Sequence, residues 1–124
     1  MICGIGIDLV EIPRLAALLE RWQQRFAEKV FTRDEIAYCE GRDNRAGSYA
    51  ARFAAKEAFA KALGTGWSEH FLWKEFAVRN DAEGKPLALL SPRLQARLHG
   101  ISVHVTLSHA DHYATALVIL EKLD

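Results

Sequence analysis

An acid and two lysines lie on a stretch of the chain that is otherwise built from Ala and Phe. The stretch is Phe53-Ala54-Ala55-Lys56-Glu57-Ala58-Phe59-Ala60-Lys61, and Gly64-Thr65-Gly66 follows it. Near the N-terminus, Gly4-Ile5-Gly6-Ile7 leads to another acid, Asp8. If the two carboxylates meet, they need a cation between them, and Mg²⁺ held by two carboxylates keeps positions open for phosphate oxygens. These residues predict a site for a divalent metal and a phosphate group.

Ordinary explanations of the same residues stay open. Glu57 and Lys61 have the spacing of a helical ion pair, worth only ~0.3 to 0.5 kcal/mol at a surface. Asp8 can form a turn or cap a helix, and Gly64 can simply end a helix. Against a simple pair stands the crowding of positive charge around Glu57, which an anion would relieve. The basic residues concerned are Arg52, Lys56 and Lys61.

Cysteine and histidine point to little further chemistry. Cys3 and Cys39 show neither a CxxC motif nor a zinc-like spacing, so we expect two buried free thiols and a reducing compartment. A zinc site at His104, His109 and His112 is conceivable, but the chain offers no companion cysteine pair and no HExxH spacing.

Composition indicates one globular domain, residues 1–124. Lys plus Arg and Asp plus Glu are 16 each, so bulk charge predicts no nucleic-acid surface and no membrane surface. No basic segment precedes an apolar run at the N-terminus, and no apolar stretch approaches the roughly 20 residues that span a bilayer. We therefore expect a soluble cytoplasmic protein.

The N-terminal half contains the elements that must position the charged residues. Cys3 to Val10 predicts a buried strand that ends near Asp8. Ile12 to Phe26 predicts one helix, with a core face of Ile12, Leu15, Leu19, Trp22 and Phe26 and a basic edge of Arg14, Arg21 and Arg25. Thr32 and Glu35 form a capping-box signature. Ser48 is the predicted cap of a helix from about Tyr49 to Leu63, which stops at Gly64.

The C-terminal half is predicted to be mostly β. Residues 75–80 and 87–90 form a hairpin, a helix begins at Ser91-Pro92 and ends near His99-Gly100, and strands follow at 101–107 and 113–120. The expected fold class is α+β, with an antiparallel sheet of the N-terminal and C-terminal strands packed against the long helix.

Three segments and a hairpin, spread in order over nearly the whole chain, carry a family resemblance. They are Gly4-Ile5-Gly6-Ile7-Asp8, Arg52 to Lys61, His104-Val105-Thr106-Leu107-Ser108-His109, and the hairpin from Asn80 to Pro86. The chain resembles the holo-acyl-carrier-protein synthases, the single-domain type of the 4′-phosphopantetheinyl transferase superfamily. The resemblance implies the fold of that superfamily and a homotrimer with active sites at the subunit interfaces.

The resemblance also implies a reaction of fatty acid biosynthesis and lipid metabolism. A serine of an apo acyl carrier protein attacks the β-phosphate of coenzyme A and releases 3′,5′-ADP. By similarity, Asp8 and Glu57 hold Mg²⁺ against the pyrophosphate, and Lys61 contacts the same group. The base that takes the serine proton stays open between a metal-bound water or hydroxide, Asp8 and Glu57.

Further binding residues follow from the same resemblance. Gly64, Gly66, Lys85 and Pro86 would line the coenzyme A cleft, and His104 and Thr106 would reach the nucleotide of a neighbouring subunit. Arg45 and Arg52 would lie at the 3′-phosphate and the edge of the site. Arg14, Arg21 and Arg25 would bind the acidic helix of the carrier protein. Val10 replaces the second acid that two-domain relatives carry there, so metal coordination would depend on water.

Two other functions remain as alternatives. One is a metal-dependent phosphodiesterase or nuclease that uses Asp8, Glu57 and Lys61, although no extended basic surface awaits a nucleic acid. The other is a non-catalytic nucleotide-binding or oligomerisation module, in which the charged helix packs at a subunit interface.

Overall fold

A computed structural model describes residues 1–64 and 72–124 of the chain. Its strands are β1 (Ile2–Glu11), β2 (Phe76–Asn80), β3 (Pro86–Leu90), β4 (Ile101–His109) and β5 (Tyr113–Lys122). Its helices are α1 (Ile12–Trp22), α2 (Gln24–Val30), α3 (Arg33–Glu40), α4 (Arg45–Leu63) and α5 (Pro92–Arg97), and Trp73–Glu75 forms a 3₁₀ turn. Within these residues, an antiparallel sheet in the order β1-β5-β4 and a β2-β3 hairpin pack against α4, which confirms the predicted α+β class.

Helix α4 occupies the centre of the molecule because small residues let other elements approach it closely. Its alanines 50, 51, 54, 55, 58 and 60 are all at most 2% exposed. The helix begins at Arg45 rather than near Tyr49, so the predicted cap was wrong. The side chain of Asn44, rather than Ser48, accepts a hydrogen bond from the Gly47 amide at 3.0 Å. The helix ends at Gly64 in the left-handed conformation, as predicted (φ 81°).

Strand β1 lies directly on α4, and two glycines make this contact possible. A Cβ atom on Gly6 would lie 1.9 Å from the Ala58 carbonyl oxygen, and one on Gly4 would lie 2.4 Å from that of Ala62. Any larger residue would push the strand off the helix. Since Gly4 lies beside Ala62 and Gly6 reaches back to Ala58, β1 and α4 run in opposite directions.

The predicted helix from Ile12 to Phe26 is interrupted. Gln23 has φ 49° and separates α1 from α2. Ile12, Leu15 and Leu19 are buried as expected, but Trp22, at the end of α1, is 45% exposed and does not belong to the core. The basic edge is therefore not continuous, because Arg25 lies on the second helix.

Lys56 is buried and does not join the charges around Glu57, contrary to the sequence-based expectation. It is 0% exposed, and its Nζ lies 2.8 Å from Glu35 Oε1. Glu35 also accepts hydrogen bonds from the amides of Thr32 and Val78, both at 3.0 Å. Burial lowers the pKa of Lys56, and the nearby carboxylate opposes that change. The pair connects α3, α4 and β2 inside the core.

The remaining boundaries match the predictions within a few residues. The capping box at Thr32 and Glu35 and the Ser91 cap of α5 are both present, while α5 ends at Arg97, before the predicted end. The cysteine prediction was half wrong. Cys39 is buried, which raises the pKa of its thiol to about 12, whereas Cys3 is exposed, and both are free.

Candidate functional site

Lys61 and Asp8 meet at the edge of the sheet. Asp8 faces α4 from β1, and the Nζ of Lys61 donates to its Oδ1 at 2.9 Å and to the carbonyl oxygen of Ile7 at 3.0 Å. The Lys61 side chain is 55% exposed and that of Asp8 17% exposed, so the pair lies at the surface. Among the described residues, the second carboxylate oxygen of Asp8 has no hydrogen-bond partner. Within the described part of the chain, this oxygen is therefore available to a ligand.

Glu57 belongs to the same site by the geometry of strand and helix. It precedes Lys61 by one helical turn and lies on the same face of α4. Gly6 contacts α4 between Ala58 and Ala62. Asp8 lies two residues further along β1, a distance of about 6.6 Å. Along α4, which runs in the opposite direction, the same distance covers about four residues towards the start of the helix. Asp8 therefore lies beside the turn that carries Glu57.

The donor set of this site suits Mg²⁺. Asp8 and Glu57 supply carboxylate oxygens, the ligands that a hard divalent cation prefers. No group of three His, Cys, Asp or Glu side chains converges within residues 1–64 and 72–124, at this site or at the conceivable zinc site. Gly64 follows Lys61 at the exposed end of α4. Gly66, which was predicted to line the same cleft, lies outside the described residues.

Arg52 lies on the other side of α4. It precedes Lys61 by nine residues, about two and a half turns, so the two side chains leave the helix in opposite directions. Arg52 is 3% exposed, and its guanidinium lies 4.0 Å from the centre of the Tyr38 ring. Its Nη2 donates to Asn80 Oδ1 at 2.5 Å, while its Nε has no hydrogen-bond partner within the described part of the chain. A phosphate at Lys61 is thus out of reach of Arg52 in the same chain.

Arg45 and Arg52 line different cavities. Arg45 lies in the first turn of α4, where its Nε is 2.7 Å from Glu40 Oε2 and its guanidinium is 5.4 Å from the centre of the Tyr49 ring. The cavity that it lines is bounded by α1 and α2 instead. Its predicted role at the 3′-phosphate remains a prediction.

A cavity of about 180 Å³ joins Arg52 to the β2-β3 hairpin. Pro86 and Gly84 line it from the hairpin, while Lys85 is exposed beside them. The turn is held by Asp81, whose Oδ1 accepts hydrogen bonds from the amides of Glu83 and Lys85, both at 2.9 Å. The cavity is also lined by Arg42 and Asn80, which sequence reasoning had not assigned to a site, and by His109, which it had considered only for zinc. Nothing in their spacing along the chain brings them together.

The face of the sheet that points away from α4 changes from apolar to polar across its strands. On β1 it carries Ile5, Ile7 and Leu9, which are 62%, 61% and 63% exposed. The rows of paired residues that contain Ile5 and Ile7 cross β5 and end on β4 at His104 and Thr106, which are both exposed. His104 Nε2 lies 3.0 Å from Glu121 Oε1. The β1 strand was expected to be buried, and in the isolated chain this face of it is not.

The arginines of the predicted docking edge lie on two helices. Arg14 is exposed on α1, with Nη1 3.9 Å from Glu11 Oε1, and the Arg21 guanidinium is 5.1 Å from the centre of the Trp22 ring. Arg25 follows on α2 and, with Trp22, Phe26 and Lys29, lines a cavity of about 370 Å³. All three side chains remain available at the surface.

Comparison with known proteins identifies the family of this chain. The family model of the 4′-phosphopantetheinyl transferase superfamily matches residues 4–118. The chain belongs to this superfamily. The resemblance to holo-acyl-carrier-protein synthases is confirmed, since the holo-[acyl-carrier-protein] synthase of Protochlamydia amoebophila is 44% identical over 96% of this chain and 98% of its own length.

Solved structures of the superfamily share the fold over nearly the whole chain. The holo-[acyl-carrier-protein] synthase of Neisseria meningitidis matches with a TM-score of 0.91 and 36% identity, covering 98% of this chain and 100% of that chain. That of Bacillus anthracis, solved in complex with CoA (3′,5′-ADP), matches with a TM-score of 0.85 and 36% identity, covering 98% of both chains. In the described part of this transferase, no helix is both long and apolar enough to cross a membrane.

Proposed function

We propose that this chain transfers the 4′-phosphopantetheine group of coenzyme A to a serine of an apo acyl carrier protein, as a step of fatty acid biosynthesis. The observation that carries the proposal is the contact of Lys61 with Asp8 at 2.9 Å, next to Glu57. Within a superfamily of phosphopantetheinyl transferases, these charges form the group that can hold a metal-bound diphosphate.

The reaction forms one oxygen–phosphorus bond and breaks another. The serine oxygen of the carrier protein attacks the β-phosphorus of coenzyme A, the bond from that phosphorus to the bridging oxygen breaks, and 3′,5′-ADP leaves. The serine proton passes to a base. Because the partner supplies the nucleophile, the chain itself needs to position the diphosphate and stabilise its charge.

In the proposed site, two carboxylates would hold a metal and Lys61 would contact the diphosphate directly. A Mg²⁺ ion held by Asp8 and Glu57 would neutralise charge on the diphosphate. The Lys61 ammonium has three N–H donors, and two of them are used by Asp8 Oδ1 and the Ile7 carbonyl. The third remains for a diphosphate oxygen. The two protein contacts fix the ammonium beside the site before the substrate binds.

Arg52 binds the second anionic group of coenzyme A, the 3′-phosphate. A buried guanidinium with no acid beside it among the described residues favours an anionic ligand, because an uncompensated buried charge is costly. Since Arg52 leaves α4 on the side opposite Lys61, the coenzyme A that it contacts is the one held by Lys61 of a neighbouring subunit. Arg45 adds positive charge at the edge of that nucleotide site.

The active enzyme is a trimer of this chain, with an active site at each subunit interface. Ile5, Ile7 and Leu9 form an exposed apolar row, as expected for a surface that other copies cover. The polar end of the same face brings His104 and Thr106 to the interface, where they reach the neighbouring nucleotide. The Gly64 end of α4 and the Lys85-Pro86 turn complete the cleft.

The carrier protein binds to the arginines of α1 and α2. Arg14, Arg21 and Arg25 present positive charge from exposed positions, and an acidic helix complements them. This surface starts immediately after β1, the strand that carries Asp8, so a docked serine is brought to the edge of the diphosphate site.

Intact mass of a carrier protein tests the transfer directly. Apo acyl carrier protein is incubated with this chain, coenzyme A and Mg²⁺, and we expect its mass to increase by one phosphopantetheine group. A parallel reaction with EDTA is expected to give no adduct. An unchanged mass for several carriers, including that of the host, would overturn the proposal.

The two alternative functions are less well supported. Membership in a transferase superfamily favours transfer over hydrolysis by a phosphodiesterase or nuclease, and over a module without catalysis. The two free cysteines suit a reducing compartment, so we place the enzyme in the cytoplasm.

A further inference from the structure

Two buried cations on α4, one turn apart, are compensated in different ways. Lys56 has a carboxylate partner, Glu35, at 2.8 Å. Arg52 is nearly as deeply buried at 3% exposure, yet none of the described carboxylates forms an ion pair with it. Its partners are the Tyr38 ring and the neutral side chain of Asn80. Within residues 1–64 and 72–124, the charge of Arg52 is therefore left uncompensated.

Asn80 uses both ends of its amide. Its Oδ1 accepts from Arg52 Nη2 at 2.5 Å, and its Nδ2 donates to the carbonyl oxygen of Gly84 at 2.9 Å. Gly84 has φ 92° and occupies the turn between β2 and β3. One side chain thus connects the guanidinium on α4 to the turn of the hairpin, and Arg52, Asn80, Gly84 and Pro86 line the same cavity.

We propose that Asn80 is a positioning residue for coenzyme A, which orients Arg52 and the Gly84 turn around the 3′-phosphate and leaves the charge of Arg52 free to bind it. The inference rests on the proposed function, and it gives Asn80 a role that acts through Arg52 and the Gly84 turn. An amide meets both requirements, because its oxygen accepts from Arg52 while its nitrogen donates to the Gly84 carbonyl, and it carries no charge. A carboxylate would accept from Arg52 but cancel its charge and repel the Gly84 carbonyl, and an apolar side chain would make neither contact.

Two nucleotides that differ by one phosphate provide the test. Calorimetry compares the binding of 3′,5′-ADP with that of 5′-AMP for the wild-type chain, Asn80→Asp and Asn80→Leu. We expect Asn80→Asp to weaken 3′,5′-ADP binding by roughly tenfold, the loss of one charge-assisted contact, and to leave 5′-AMP binding within about twofold. In turnover assays, KM for coenzyme A should rise, while kcat and KM for 3′-dephospho-coenzyme A should not change.

Gln95→Glu is the matched control. Gln95 also donates its amide to a hairpin carbonyl, that of Leu90 at 2.9 Å, but it contacts no guanidinium. The substitution adds the same charge at a distant, exposed position, and we expect both nucleotides to bind as in the wild type. If Asn80→Leu fails to fold, Asn80→Asp still tests the inference, because its carboxylate can accept the hydrogen bond from Arg52.

The outcomes separate this inference from the proposed function. If Asn80→Asp is folded and keeps its affinity for 3′,5′-ADP within twofold, the inference is overturned. Equal weakening of both nucleotides also overturns it, because Asn80 would then only support the structure of the cavity. If the wild-type chain binds 3′,5′-ADP but attaches no phosphopantetheine to any carrier, the proposed function fails instead.

Discussion

In the proposed site, the charges of Asp8, Glu57 and Lys61 suit a diphosphate only when a metal is bound. Two carboxylates and one ammonium have a net negative charge, which would repel coenzyme A. A divalent cation would reverse that sign, so each carboxylate would contribute to substrate binding through the metal. This makes Glu57 the clearest single position to change, since Asp8 also fixes Lys61.

We expect Glu57→Gln to reduce transfer by about 100-fold or more, because it removes a charged metal ligand from the site. Glu57 is only partly buried, so the melting temperature should stay close to that of the wild type. Intact-mass rates over a Mg²⁺ titration measure the loss, and higher Mg²⁺ should restore part of it.

Glu28→Gln is the control for this change, since Glu28 is an exposed acid on α2. It should transfer at the wild-type rate. Activity of Glu57→Gln within a few-fold of the wild type at every Mg²⁺ concentration would reject Glu57 as a metal ligand.

Single residues show where sequence reasoning succeeds and where it stops. Asp8 and Lys61 were predicted to lie close together, and the two side chains are in contact. Lys56 was placed with them because its charge looks the same in sequence. Its burial depends on Glu35, which lies on another helix and resembled a simple capping residue. A pair of that kind becomes visible only when α3 and α4 are packed together.

At the scale of elements, the Lys56–Glu35 pair determines how α3, α4 and β2 are joined. We expect Lys56→Met to destabilise the fold by about 3–5 kcal/mol, because it leaves the Glu35 carboxylate buried without a counter-charge. Urea unfolding measures the change. Adding Glu35→Gln to Lys56→Met should restore part of the stability, since the amide oxygen can still accept from one of the two backbone amides and no buried charge remains. Losses that simply add would contradict this coupling.

The helix pair α1 and α2 carries the second prediction at this scale. Reversing Arg14 and Arg21 to Glu should raise KM for the carrier protein about tenfold or more, because two attractive contacts become repulsive. KM for coenzyme A should change little. Arg33→Glu, an exposed arginine on α3, is the control and should leave both constants unchanged. An unaltered KM for the carrier in the double variant would remove the docking role.

Several element boundaries were predictable from local capping residues. Thr32, Ser91 and Gly64 act where the sequence indicated, whereas the Asn44 cap of α4 was missed. The break at Gln23 was missed because no Gly or Pro marks it, and the apolar spacing continues across it. Such a break is set by how α1 and α2 pack on the core, which local sequence does not encode.

At the scale of the whole molecule, the exposed row on β1 is the surface where we propose that copies of the chain meet. We expect Ile5→Glu to convert the proposed trimer into monomers, because three copies of a charge would be buried at the interface. Light scattering measures the mass, and circular dichroism should show an intact fold. Leu72→Glu is the control, since Leu72 is 59% exposed and lies away from the sheet. A wild-type mass for Ile5→Glu would show that this face is not the interface.

The sheet and its packing on α4 could be predicted from alternating strands and one long helix. The exposure of Ile5, Ile7 and Leu9 could not, because a strand covered by its own chain and a strand covered by another copy have the same apolar pattern. Sequence periodicity identifies a buried face without identifying which chain buries it.

The placement of Lys61 and Arg52 on opposite sides of α4 has a genetic consequence. If each active site takes Lys61 and Glu57 from one subunit and Arg52 from the next, two inactive alleles can complement each other. Trimers are assembled from equal amounts of Glu57→Gln and Arg52→Gln chains. At about one interface in four, an intact Glu57 then meets an intact Arg52, so activity should return to about a quarter of the wild-type value. A chain with both substitutions should rescue neither parent, and the absence of recovery in the mixture would place both halves of the site in one subunit.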